Sequence, residues 1–187
     1  YIISREKKGS KGQFFTPRYL VNFCIDILNP KTNESILDPA AGSGAFLYHA
    51  YLHNGIKGTD LWGIDFDNTA VRIARLLMYV GNVNGTHIYK ANSLLKNNVR
   101  VSLFDKGISE ISTTIEDILR IEKKKDLFDI IITNPPFAGE IIEPDILESY
   151  EISYGKTRIE RDVLFVERCI NLLKPGGRMA IVLPDNI

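Results

Sequence analysis

With 187 residues, 44% of them hydrophobic and 25% charged, the chain is long enough for one domain with a sizeable core, and disordered and fibrous classes are excluded. Lys plus Arg and Asp plus Glu each number 23, so net charge supplies no footprint for a polynucleotide. Any such contact must be local or belong to another domain or subunit.

Residues 1–15 open the chain as a basic arm, with Arg5, Lys7, Lys8, Lys11 and, just beyond it, Arg18 against only Glu6; these could touch phosphates, but a solvated basic face is the favoured reading. Thr16-Pro17 is a helix start, with a hydroxyl to cap and proline at the first helical position, and Leu20, Val21, Cys24, Ile25 and Leu28 follow at helical spacing until Asn29-Pro30. Ser35 to Asp38 forms a short strand, Gly44 to about His53 a helix, and Leu61 to Asp65 a second strand. Asp67 caps a helix to about Val80, and Thr86 to Ala91 is the third strand. Residues 96–125 suggest an amphipathic helix through Ile111, Ile115, Ile118 and Leu119 that fades into Lys123-Lys124-Lys125. The apolar run 127–133 is a central parallel strand buried on both faces. Residues 138–161 hold few core residues and many charges, and read as a mobile loop over a site. Asp162 caps a helix through Leu173, Lys174-Pro175-Gly176-Gly177 turns the chain, and Arg178 to Leu183 is the fifth strand.

Strands alternating with helices imply an α/β fold, a three-layer open parallel sheet with ligands at the carboxyl ends of its strands. Two motifs then share one edge. In the first, Asp38-Pro39-Ala40-Ala41-Gly42-Ser43-Gly44, glycines permit close ligand approach, while the strand-end carboxylate suits a cationic amino acid moiety and repels a pyrophosphate. Asp65, ending the second strand, can take both hydroxyls of a ribose. In the second motif, Asn134-Pro135-Pro136-Phe137, the Asn134 oxygen and the Pro135 carbonyl offer two acceptors to one amino group. Neither proline has an N–H to compete, and Phe137 offers a stacking face. Cys24 and Cys169 support neither a disulfide framework nor a zinc site, and fit a reducing cytoplasm. His49, His53 and His87 lack metal spacing, so no metal is expected. No apolar run nears the ~20 residues that cross a bilayer, so no membrane association is expected either.

In order, Gly12 to Pro17, Asp38 to Gly44, Gly63-Ile64-Asp65 and Asn134 to Phe137 resemble the adenine-N6 DNA methyltransferases, and most of all the modification subunit of type I restriction systems. The resemblance implies a Rossmann-like methyltransferase fold that uses S-adenosyl-L-methionine. It implies that Gln13, Phe14, Phe15 and Thr16 close over the methionine end of the cofactor and that Asp38, Ala40, Gly42, Ser43 and Gly44 line it. Asp65 is then at the ribose, Asn92 beside the adenine ring in place of the aspartate common in relatives, and Asn134, Pro135, Pro136 and Phe137 at the target base. The implied partners are double-stranded DNA with a flipped adenine and a specificity subunit or recognition domain.

Relatives continue past strand five and carry helical regions before the Phe-Thr-Pro segment, whereas this chain starts without Met and stops at Ile187. Residues 1–187 therefore read as a catalytic core ending after strand five, without a target recognition domain, poorly active alone and prone to associate along an open edge. Rival readings are methylation of an RNA guanine amine or a protein glutamine amide, or a non-catalytic cofactor-binding subunit. Cytosine C5 methylation needs a thiolate at a strand-end turn, where this chain has no cysteine.

Overall fold

A computed structural model describes residues 15–53, 55–96, 113–137 and 139–185. Gln13 and Phe14, most of the basic arm, and Ile111 lie outside the described residues. The first half alternates α1 (Arg18–Leu28), β1 (Ile36–Asp38), α2 (Ala45–Leu52), β2 (Leu61–Asp65), α3 (Asn68–Val80) and β3 (His87–Lys90). It continues through α4 (Ile115–Ile121), β4 (Phe128–Thr133), β5 (Glu140–Ile141), α5 (Pro144–Leu147), β6 (Ile159–Glu160), α6 (Arg161–Leu172) and β7 (Leu173–Ile181).

The main sheet has the order β3-β2-β1-β4-β7 with every pair parallel. Alternating side chains divide its two faces. Ile36, Leu61, Ile88, Ile130 and Ile132 pack under α1, α2 and α3, whereas Leu37, Trp62, Ile64 and Ile131 pack under α4 and α6. Phe128 breaks the alternation and joins the second face, because Asp129 and Ile130 both donate their N–H to the Ser35 carbonyl and the strand bulges there. The chain runs outward from β1 to β3 and then returns to the other side of β1 as β4. The order thus reverses between β1 and β4, which opens a crevice at the carboxyl ends of these two strands.

Local readings that depended on caps fared unevenly. Asp67 caps α3 as expected, accepting from Thr69 and Ala70 N–H at 2.7 and 2.9 Å. Thr16 does not cap α1: Pro17 occupies the cap position, its carbonyl accepts from Leu20 and Val21, and the hydroxyl one residue earlier turns elsewhere. Asp162 does not cap α6 either. Glu160 stands at that end, and Asp162 lies buried within the first turn with Oδ1 taking the Val163 N–H. Thr114 and Asp117 form a reciprocal capping box that starts α4. Strand β7 begins before the predicted turn, since Leu173 pairs with Phe128 and Arg178 with Ile130 while residues 174–177 bulge out between them.

The reading of 138–161 as a loop with few core residues is corrected. Ile141, Ile146, Leu147, Tyr150 and Ile159 are buried, and they join Leu94, Leu95, Leu164 and Phe165 in a third apolar cluster. Strands β5 and β6 pair antiparallel within it, and the Lys96 ammonium lies 4.0 Å from the Tyr150 ring. Burial of these side chains supplies what the charge-rich sequence conceals.

Candidate active site

The β1/β4 crevice is a cleft of about 660 Å³, the size of a small-molecule pocket. One wall is the glycine turn. Gly42 has φ +52° and its N–H donates to Asp65 Oδ2 at 2.8 Å, while Ala41 N–H donates to the Ile64 carbonyl at 2.9 Å, so the turn is tied to the end of β2. A Cβ on Gly42 would meet nothing within 4 Å, so the turn's inner side is open to a ligand. Ala40 and Ser43 line the cleft with it; Gly44 does not, and serves a different need. At φ +80° it starts α2, and a Cβ there would press on Ala74 of α3 at 3.1 Å.

Two carboxylates stand beneath this turn. Asp38 is 1% exposed; Oδ1 accepts the Ala40 N–H at 3.1 Å and Oδ2 is buried without a hydrogen-bond partner. Burial pushes its carboxyl up to about 7, the Thr133 hydroxyl and Ala40 N–H pull it down, and the Asp65 carboxylate raises it again. The Thr133 hydroxyl is close enough to act on that charge, yet it makes no well-formed hydrogen bond. Asp65 is also held above the usual carboxylate range by burial, although its two oxygens accept the Gly42 and Asp67 N–H groups. A buried orphan oxygen with a second acid beside it is a seat for a cation, which would favour the ionised form of both.

Asn92 follows β3 and lines the same cleft, its Oδ1 accepting the Leu94 N–H at 3.1 Å and its backbone N–H donating to the Thr113 carbonyl. Its neighbour Ser93 is buried and donates its hydroxyl to the Pro39 carbonyl at 2.5 Å, which fastens this loop to the glycine turn.

The opposite wall is Asn134, Pro135, Pro136 and Phe137 at the end of β4. Asn134 donates Nδ2–H to Thr16 Oγ1 at 3.0 Å, and its Oδ1 is buried with no partner. Phe137 is 39% exposed, and Phe15, at 76%, lines the cleft rather than the core under α1. Gln13 and Phe14 lie outside the described residues, so the other candidate positions apart from Gly44 meet in this one cleft.

The structure adds residues that the sequence reading passed over. Phe66 is an exposed aromatic in the cleft wall, signalled by its place between the strand-end Asp65 and the helix cap Asp67. Ile141, Ile146 and Phe165 form an apolar flank, and Arg161 is the one basic side chain among the described residues lining the cleft. The Arg161 backbone N–H donates to the Gly139 carbonyl at 3.0 Å. Neither cysteine lines the cleft, and burial pushes the Cys169 thiol up to about 12. Among the described residues no group of three or more His, Cys, Asp or Glu could hold a metal ion, and no helix is long and apolar enough to cross a membrane.

Comparison with known proteins places the chain in one family. The family description N-6 DNA Methylase matches residues 2–187. The chain is 30% identical over 185 residues to the type I restriction enzyme EcoKI methylase subunit of Escherichia coli (strain K12), covering 98% of this chain and 33% of that one. Identity and coverage are the same for the StySJI methylase subunit of Salmonella typhimurium (strain LT2). A solved modification subunit of a putative type I restriction enzyme from Vibrio vulnificus YJ016 matches with a TM-score of 0.63 at 27% identity, over 95% of this chain and 35% of that chain. The chain spans about a third of the length of the curated relatives it matches.

Proposed function

Because the chain belongs to the N-6 DNA methylase family, we propose that it methylates the N6 amine of adenine in DNA, with S-adenosyl-L-methionine as methyl donor. The observation that carries this reading is that Asn134 and Asp38, each with a buried side-chain oxygen lacking a hydrogen-bond partner, line the same cleft. One is an acceptor for an amine and the other a seat for a cation.

The cofactor, when bound, supplies an electrophilic methyl group on a sulfonium. Asp38 would face its cationic amino acid end, Asp65 its ribose, and Asn92 its adenine, with Phe15, Thr16, Ala40, Gly42 and Ser43 around it. Gln13 and Phe14 complete the set by resemblance. The lone pair of the target amine is delocalised into the purine ring. Accepting hydrogen bonds from its two N–H groups on Asn134 Oδ1 and the Pro135 carbonyl draws the nitrogen toward tetrahedral geometry and frees that lone pair, and one of the two protons leaves only after the nitrogen has gained the methyl group. Pro135 and Pro136 present no N–H that would compete. Placement, rather than a strong base or a metal, is what these residues contribute.

Inside a duplex the amine is out of reach, so the base must be flipped out, and Phe137 gives it a face to stack on. For Phe137→Ala the loss is expected in capture of the base, about 1 to 3 kcal/mol of stacking. Fluorescence enhancement of 2-aminopurine at the target position should fall while cofactor affinity holds; an undiminished signal would count against the stack.

Protonation of Asp38 sets a pH dependence. Its carboxyl, at about 7, is largely neutral below that pH, so binding a cation there must expel a proton. Affinity for the cationic analogue sinefungin is expected to strengthen as pH rises toward about 7 and to level off above it. In Asp38→Asn the dependence should flatten and affinity should drop. Calorimetry in buffers of different ionisation enthalpy reads the proton directly; no proton released near pH 7 would refute the assignment.

The partners this reading calls for are duplex DNA and a specificity subunit or recognition domain, acting in the cytoplasm on chromosomal DNA. Tritiated methyl transfer tests it: incorporation into duplexes with adenine sites and none into duplexes without adenine. Transfer to RNA or to a glutamine peptide instead would select a rival substrate. No thiol in the cleft argues for cytosine C5 chemistry.

A further inference from the structure

We propose that Thr16 is a positioning residue for Asn134: by accepting the amide proton from Nδ2 it holds the side chain with Oδ1 as the face offered to the target amine. This rests on the reading of Asn134 as an acceptor for an exocyclic amine, and says what keeps it one. An asparagine amide has nearly the same shape after half a turn about its last torsion, which exchanges the acceptor for two donors. Packing therefore cannot choose between the two orientations. A donor turned toward an amine would repel it.

Hydrogen bonding must make the choice. Among the described residues the Thr16 hydroxyl, at 3.0 Å from Nδ2 and 118 positions away in the chain, is the only hydrogen-bond partner of the Asn134 side chain. The prolines that follow have no N–H to engage Oδ1, and that oxygen is buried and unpaired. Thr16 would ordinarily be spent on capping α1, but the helix begins without any side-chain cap, and the Pro17 carbonyl takes the first helical donors. The hydroxyl is thereby free to reach across the cleft. With valine in its place, the orientation that serves the reaction would leave Nδ2 without an acceptor, and the amide would favour turning its donors out.

The test uses Thr16→Val, Thr16→Ser, Asn134→Ala and the Thr16→Val/Asn134→Ala pair in the full protein with its DNA-recognition partner. Single-turnover methyl transfer should fall about 10- to 100-fold in Thr16→Val and recover most of its rate in Thr16→Ser. Because Thr16 also stands among the residues proposed to surround the cofactor, affinity for S-adenosylhomocysteine should fall by less than the rate does, and in the Asn134→Ala background Thr16→Val should cost no more than that affinity loss. A loss of S-adenosylhomocysteine affinity equal to the loss of rate would leave Thr16 a cofactor contact and nothing more, and would overturn the inference. So would an equal loss from Thr16→Val whether residue 134 is Asn or Ala, which marks a structural role. A wild type that transfers no methyl to adenine removes the functional reading and the inference together; an active wild type beside a Thr16→Val variant at full rate removes the inference alone.

Discussion

Asn134→Ala is expected to slow methyl transfer by about 100- to 1,000-fold, the usual cost of removing one preorganised polar group from a reacting centre. The same change should leave affinity for cofactor analogues within about threefold. The asymmetry follows from where the side chain stands. Asn134 follows β4, and its unpaired Oδ1 makes no hydrogen bond to the groups that hold Asp38, Gly42 and Asp65 in place. An amine arriving at that oxygen is bound only weakly more than by water. The interaction strengthens as the nitrogen becomes pyramidal and its protons more acidic, so the loss falls on kcat rather than on KM. Calorimetry beside a tritiated-methyl assay separates the two, and near-normal turnover by Asn134→Ala would leave the amine without its principal acceptor and end the mechanism.

Much of this site could be read from the sequence because its parts are local. Apolar runs at 61–65 and 128–133 announce buried parallel strands, Asp67 announces a helix, and each motif carries its own residue types in consecutive positions. What escaped depends on partners far along the chain. Thr16 looks like a cap because capping rules consult only the next few residues, whereas its actual partner is reached only once β4 lies beside β1. The segment after Phe137 has no periodicity to betray its core, since Ile141, Ile146, Tyr150 and Ile159 are buried by packing on Leu94, Leu95 and Phe165 rather than by an amphipathic pattern. Asp162 was misassigned for a related reason: the helix starts two residues earlier, and its carboxyl goes inward.

Arg168 escaped most completely, since an arginine in an amphipathic helix is expected at the surface, and leaving it buried without its acid should be among the costlier changes for stability. It is 2% exposed in α6, donates Nε–H to the Ser93 carbonyl at 2.6 Å, and meets both oxygens of Glu116 in α4 at 2.7 and 2.9 Å. The Tyr150 hydroxyl donates to the Leu94 carbonyl at 2.8 Å, and Ser93 in turn holds the Pro39 carbonyl. One guanidinium thus ties α4 and α6 to the loop that carries Asn92, and through Ser93 to the glycine turn. Removing the acid strands a buried cation, a loss of about 3 to 5 kcal/mol for a fully enclosed pair. The Glu116 side chain is 44% exposed, so water softens the effect, and about 2 to 3 kcal/mol is expected for Glu116→Ala. Arg168→Met removes the charge itself and leaves one orphaned carbonyl and a half-exposed carboxylate that water can reach, about 1 to 2 kcal/mol. Glu116→Ala should therefore unfold at lower urea than Arg168→Met, although Arg168 is the more buried of the two. Arg168→Met should nevertheless lose more cofactor affinity, because it is the residue that grips the Asn92 loop. Urea midpoints in the reverse order, or an Arg168→Met protein that binds sinefungin as tightly as wild type, would show that the loop keeps its place without the guanidinium.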